Sequence, residues 1–309
     1  MHNPALTRAR SVAVDRLPVH VVPLSETGLI PRATGGGRTR EPAPRLHECR
    51  HLPPTNPTEA TLLSIWINTH QAMFFSTGIC ASAVHRIADY LDERRGPDEV
   101  IPVAELAVAC RHASAAYTSL PHLDRDLYEA YVRESMRLVH PGFSGVSNRE
   151  AIAVEASLRR LKTAQAGLAS ADGALARSLE PALDAVYAAD RFWWKHHGIA
   201  MARMVGHPVS LARLDYKEQL THGSGDGSFD DYRSRVLRQT DALDDYDGYF
   251  AVERRADLTI DDYRRDLSAA LARSAPYVDA TGPLADYRRD GEASLFAVLD
   301  LAAAQGRKS

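Results

Sequence analysis

The chain reads as an all-α protein, a helical bundle preceded by an extended N-terminal arm. Three observations carry that expectation. Apolar residues recur at spacings of three and four along most of the chain, and alternating β-branched runs are nearly absent. Residues 1–56, rich in Pro, Arg and Gly, follow neither period, and Gly35-Gly36-Gly37 and Pro53-Pro54 mark them as extended. Such an arm either wraps a neighbouring subunit or hangs free.

A long helix begins after the arm. Asn56-Pro57-Thr58-Glu59 supplies an N-cap, a proline at the first helical position and a glutamate two residues later. Gly96-Pro97 is expected to close it. Further helical stretches are expected over 101–118, 123–138, 148–169, 175–205, 228–243, 259–274 and 283–304, with residues 206–228 irregular between them. The glycine-rich string His222-Gly223-Ser224-Gly225-Asp226-Gly227 reads as a hinge or a lid, so residues 57–309 form one helical domain over which it can close.

Composition narrows the class. At 309 residues the chain can bury a sizeable core, and 45% apolar with 25% charged residues is ordinary for a globular protein. A net charge of −3 gives no reason to expect nucleic acid or an anionic membrane as partner. No stretch approaches the roughly 18 uninterrupted apolar residues that a membrane helix needs. Cys49, Cys80 and Cys110 are three cysteines without regular spacing, which suggests a reducing compartment and a cytoplasmic protein.

Two histidine-bearing segments stand out. Thr69-His70-Gln71-Ala72 interrupts an apolar helix, where imidazole and amide groups are costly to bury without partners. On a helical wheel Leu63, Trp66, Ile67, Phe74, Thr77, Ala81 and Val84 lie within about 60° of His70, so it faces the core. The second segment runs from Phe192-Trp193-Trp194-Lys195-His196-His197 to Gly206. There Leu183, Val186, Trp193, Ala200, Met201 and Met204 share a stripe centred on His197, while His196 falls off it. A neutral imidazole amid Trp and Met suits the iron of a haem, and plain core packing is the competing reading of the same stripe. Asp190 lies on that stripe as a candidate partner for the imidazole, at a separation that strains its reach. No His-Glu-x-x-His string, calcium loop, strand-linked Gly-x-Gly-x-x-Gly or Gly-x-Ser-x-Gly elbow occurs.

Taken together the segments carry a resemblance. Thr69-His70-Gln71-Ala72 followed by aromatics is similar to the His-Gln helix on the distal side of the haem in tryptophan 2,3-dioxygenases. Trp193-x-x-x-His197 with Arg203-Met204-Val205-Gly206 resembles that family's proximal helix, and its register also selects His197. Tyr131-Val132-Arg133-x-x-Met136 leading to Gly142-Phe143-Ser144 is similar, with an offset of one residue, to the segment whose arginine binds the substrate's carboxylate. The family's glycine-rich loop after the proximal helix is replaced by His207-Pro208-Val209-Ser210-Leu211, and its Glu-Leu-Trp-Phe is reduced to Phe74-Phe75.

Within the wider haem-dependent aromatic oxygenase superfamily, the length and these departures resemble the tyrosine 3-hydroxylases of natural-product pathways. The resemblance implies haem as cofactor and hydroxylation of L-tyrosine, or a related aromatic amino acid, to L-DOPA with hydrogen peroxide. No histidine has a cysteine four residues on, so the expected cofactor is non-covalent haem b. His197 is then the iron ligand, and His70 a general acid–base with a pKa near neutrality. Arg133, Tyr131 and Phe74 contact substrate, and Trp66, Trp193, Met201 and Met204 line the haem. The resemblance and the arm together imply a homodimer or higher homo-oligomer. A haem dioxygenase opening an indole with O2, and a haem-binding helical protein without turnover, remain open.

Overall fold

The structure is a computed structural model. It describes residues 19–21, 54–118, 125–143, 148–205, 210–223, 227–237, 240–250 and 252–254, with isolated residues between 261 and 296. Most of the expected helices at 259–274 and 283–304, and most of the arm, lie outside the described residues.

Helix α1 (Pro57–Asp92) starts where the capping signal places it. The Asn56 side chain accepts the Glu59 amide at 3.0 Å, and the Glu59 carboxylate reaches back to the Thr55 amide and hydroxyl at 2.7 and 2.8 Å. Helix α2 (Pro97–Thr118) begins at the proline and not at 101. Pro97 both ends the preceding turn and opens the next helix, because its missing N–H is unneeded in a first turn. Next come α3 (Arg125–Leu127), a π-helical turn (Tyr128–Val132) and α4 (Arg133–Val139). They are followed by α5 (Arg149–Ala171), capped by the Asn148 side chain, and α6 (Gly173–Val205).

Residues 206–228 are not irregular throughout, as the sequence suggested. Ser210 caps a helix, α7 (Leu211–Thr221), whose Ala212 and Tyr216 pack on Tyr232 and Phe229 of α8 (Phe229–Tyr232). The glycine and serine clusters on either side mask a short amphipathic helix that needs this packing to hold it. Residues 224–226 lie outside the described part, and the Tyr216 hydroxyl ties the Gly227 carbonyl at 2.8 Å. A second π-helical turn (Arg233–Leu237) and α9 (Thr240–Tyr249) lead to β2 (Val252–Arg254). This strand pairs in parallel with β1 (Val19–Val21), in register Val19 to Val252.

The architecture is all-α, with that one short ribbon. Helices α1, α2, α6 and α5 form a four-helix ring in which α1 and α6 stand at opposite corners, each flanked by α2 and α5. The buried face of α1 runs from Leu62 and Leu63 through Phe74 and Phe75 to Ile87 and Leu91. Its buried hydroxyls are satisfied across the α1–α2 seam, where Ser76 and Thr77 lie 2.7 and 3.1 Å from the Ser114 hydroxyl. The Tyr128–Val132 turn touches both α1 and α6 and bridges the diagonal. Among the described residues no helix is long and apolar enough to cross a membrane.

Candidate functional site

On α1, His70 faces inward. Its Nδ1 lies 2.8 Å from the Trp66 carbonyl, which only accepts, so Nδ1 carries the proton and Nε2 the lone pair. The ring is held between Trp66, 4.0 Å away, and Phe250, stacked at 4.7 Å and 14°. Burial pushes its pKa down to about 4; the Trp66 carbonyl opposes the shift and the charge of His197 adds to it. The near-neutral pKa expected from sequence is therefore corrected. A histidine among aromatic rings has lost its solvation, and no acidic group is among the influences on it.

Gln71 serves this wall indirectly. Its amide donates to the Phe250 carbonyl at 2.9 Å, fastening the end of α9 to α1 and so holding the ring that covers His70. Phe74, fully buried, meets Phe250 and Tyr246 edge-on at 5.3 and 5.7 Å. Phe143 stacks on Tyr246 at 4.8 Å, which brings the Gly142-Phe143 segment to the same cluster; Ser144 lies outside the described residues.

His197 occupies the opposite corner, on α6. Trp193, buried, stacks on it at 5.0 Å with 9° between the planes, and Trp194 stands edge-on at 6.2 Å. Burial, and then the Arg111 charge, lower its pKa to about 4. Its Nδ1 is buried without a hydrogen-bond partner among the described residues, as is Trp193 Nε1. The neighbouring His196 is engaged elsewhere, with Nδ1 donating to the Phe192 carbonyl at 2.9 Å and its ring packed on Phe192. The two adjacent histidines thus occupy different environments, along the division that the wheel drew. Met201 is half-buried against the core; the Met204 side chain lies outside the described residues.

Asp190 does not serve the imidazole. It accepts Arg111 Nε and Nη2 at 2.9 and 2.6 Å, a buried pairing between α6 and α2. The Arg111 guanidinium lies 4.1 Å over the Trp193 ring, so arginine, indole and imidazole form three layers. A buried guanidinium must find a carboxylate, and Asp190 is already committed to it.

The third wall is the π-helical turn. Its wider winding shifts the register so that Tyr128, Tyr131, Val132 and Arg133 are all buried. Tyr128 packs on Trp66 at 5.3 Å. Arg133 Nη1 donates to both Glu129 oxygens at 2.8 and 3.0 Å, while Arg133 Nε is buried without a partner among the described residues. Trp66 Nε1 is in the same condition. Arg111, Tyr128 and Phe250 were missed by sequence reasoning. Arg111 alone left a signal, as a charge inside the small-residue run Ala107–Ala116.

The two imidazoles tie stability to acidity. Each has a folded pKa of about 4 against 6.5 unfolded, so the unfolded chain binds more protons between those values. Their contribution is complete above pH 6.5 and is lost as the pH falls toward 4, about 3 kcal/mol for each at roughly 1.4 kcal/mol per pKa unit. Urea denaturation of the protein without added ligand should show a midpoint that is level above pH 6.5 and falls steadily below it. A midpoint unchanged down to pH 4.5 would contradict the burial of these neutral rings.

A comparison with curated proteins returned no match. A family model described as SfmD 3-methyl-L-tyrosine peroxygenase matches residues 21–182. The match takes in the histidine helix α1, the Arg111 helix α2 and the bridging turn, and it stops short of His197. Covering just over half of the sequence, it shows that the chain belongs to the SfmD 3-methyl-L-tyrosine peroxygenase family, a family of oxidoreductases.

Proposed function

We propose that this protein is a haem-dependent peroxygenase that hydroxylates the ring of L-tyrosine at the 3-position, giving L-DOPA at the expense of hydrogen peroxide. The reading takes residues 57–309 as one cytoplasmic catalytic unit, preceded by an arm and assembled as a homodimer or larger. The observation that carries it is the pair of half-buried imidazoles on diagonal helices, both held neutral by lost solvation, with His70 close enough to feel the charge of His197. A polar pair in an apolar core is costly unless something between the rings uses it.

The residues fit a haem. Among the described residues no group of three or more His, Cys, Asp or Glu is placed to hold a metal ion unaided. His197 is the residue that would hold the iron of a haem, whose porphyrin supplies the remaining ligands. Trp66, Trp193, Met201 and Met204 would wall the macrocycle. Buried Trp66 Nε1, Trp193 Nε1 and Arg133 Nε are donors that an oxygen-bearing ligand would satisfy. Without a His-x-x-x-Cys string the haem would be non-covalent haem b. When bound it supplies activation of peroxide and delivery of one oxygen atom to the ring.

The chain's own groups do the rest. His70 is neutral at rest and offers Nε2 as proton acceptor. A proton taken from one peroxide oxygen is handed to the other, which leaves as water, so no charge stays in the apolar wall. Full deprotonation of the substrate phenol is a different matter. Moving that proton from a group near pKa 10 to one near 4 costs about 8 kcal/mol, and nothing returns it. His70 therefore polarises the phenol at most and works chiefly on peroxide.

Arg133 and Glu129 together suit a zwitterion: the free guanidinium Nε for the amino acid's carboxylate, and the Glu129 carboxylate for its ammonium. Tyr131 and Phe74 would flank the ring. Arg133→Leu should raise KM for tyrosine much more than for tyramine, which lacks the carboxylate; equal effects would remove Arg133 from substrate binding. The proposal as a whole is tested by product mass. L-Tyrosine with peroxide should gain one oxygen and become a catechol, whereas an indole gaining two oxygens with ring opening would favour the dioxygenase reading. The substrate in the family's description, 3-methyl-L-tyrosine, is the competing ring. A kcat/KM higher for it than for tyrosine would move the assignment there.

A further inference from the structure

The ring stack at His197 does not end at Trp193. Trp194 meets Trp193 edge-to-face at 4.8 Å and His197 at 6.2 Å, and it is 41% exposed. The indole has open ground beside it. Gly198, one turn on, is exposed, and a Cβ built there would meet nothing within 4 Å. A continuous aromatic contact thus leads from the half-buried imidazole to solvent, ending on an indole face that a flat molecule can approach.

We propose that Trp194 is an exit for oxidising equivalents, giving this protein a second activity: one-electron oxidation of bulky donors that cannot enter the buried pocket. The inference rests on the reading of His197 as the iron ligand. With tyrosine in place, both oxidising equivalents of peroxide are spent on oxygen transfer. With no substrate they need another sink. An electron then passes from Trp194 inward through its edge-on contacts with Trp193 and His197, and the external donor restores it. Two such transfers, with two protons taken from the donors or from water, reduce one peroxide to two waters and turn two donor molecules into two radicals.

The surroundings decide which indole bears the electron hole. Trp193 lies under the Arg111 guanidinium, whose positive charge disfavours a radical cation. Trp194 is exposed and can release its proton to water. The hole therefore settles at the surface.

The test is to add a few equivalents of peroxide, without aromatic substrate, to the haem-loaded protein and to Trp194→Phe. Rapid-freeze electron paramagnetic resonance should show a tryptophan radical in the native chain that is lost in the variant. Peptide mass spectrometry should place added oxygen on Trp194 and leave Trp193 unmodified. Oxidation of a bulky sulfonated dye such as ABTS should be largely lost in Trp194→Phe and partly regained in Trp194→Tyr, which restores an oxidisable ring, while tyrosine hydroxylation continues in both. A normal Soret band and hydroxylation with Trp194 unmodified, or dye oxidation unchanged in Trp194→Phe, would overturn this inference alone. Absence of a Soret band before peroxide is added would overturn the haem reading and this inference with it.

Discussion

His197→Ala is expected to yield a folded protein without its haem, whereas His196→Ala keeps the cofactor with an unaltered spectrum. The two side chains are adjacent in sequence and differ only in where α6 points them. His196 is spent on the Phe192 carbonyl, while His197 stacks on Trp193 with its Nδ1 unpartnered. A haem bound only through apolar walls would lack its axial bond, so the loss should be close to complete when titrated by Soret absorbance. Circular dichroism separates this from unfolding. The helix keeps Trp193 and the Arg111–Asp190 pair in the variant, so helical signal should be unchanged. Haem retained in His197→Ala and lost in His196→Ala would mean that the register of α6 is wrong.

His70→Ala has the opposite character. Haem should remain, because nothing assigned to the proximal side is touched, while turnover with peroxide falls by roughly 10²–10⁴-fold, the usual range for a lost general acid–base. The truncation also frees the Phe250 ring that stacks on the imidazole, so some change in substrate KM is expected. The fall in kcat is the diagnostic part. Stopped-flow mixing with peroxide, with tyrosine saturating, measures it directly. Unchanged kcat would leave His70 as a packing residue whose imidazole happens to be buried.

The parts legible in the sequence were those governed by local period. The start of α1 followed from Asn56-Pro57, and the packing of His70 and of His197 against aromatic rings from residues three and four positions away. The distinction between His196 and His197 needed nothing more than a helical wheel. What escaped was set by partners far along the chain. Asp190 stood as a candidate partner for His197 at a doubtful reach, yet its partner is Arg111, 79 residues away and itself unremarked. Gln71 asked for a partner that turned out to be a backbone carbonyl 179 residues on, at Phe250. No periodicity argument reaches across such separations.

Two further differences have the same origin. The π-helical turn at Tyr128–Val132 buries consecutive positions that an α-helix would spread around its circumference, so a wheel drawn at the ordinary period misplaces them. The acidity of His70 depends on which groups surround it, and those are known only once α9 and α6 are in place. Arg133 illustrates a milder case. Its burial was unexpected for an arginine, and Glu129, one turn earlier on the same segment, accounts for it.

The central claim is that the two imidazoles enclose a haem and a tyrosine-class ring. An optical titration tests it most directly: purified protein with one equivalent of haemin, recorded before and after addition of L-tyrosine. A sharp Soret band that saturates at one haem per chain and shifts when tyrosine is added is the predicted result. A broad band like that of free haemin, unmoved by tyrosine, would contradict it.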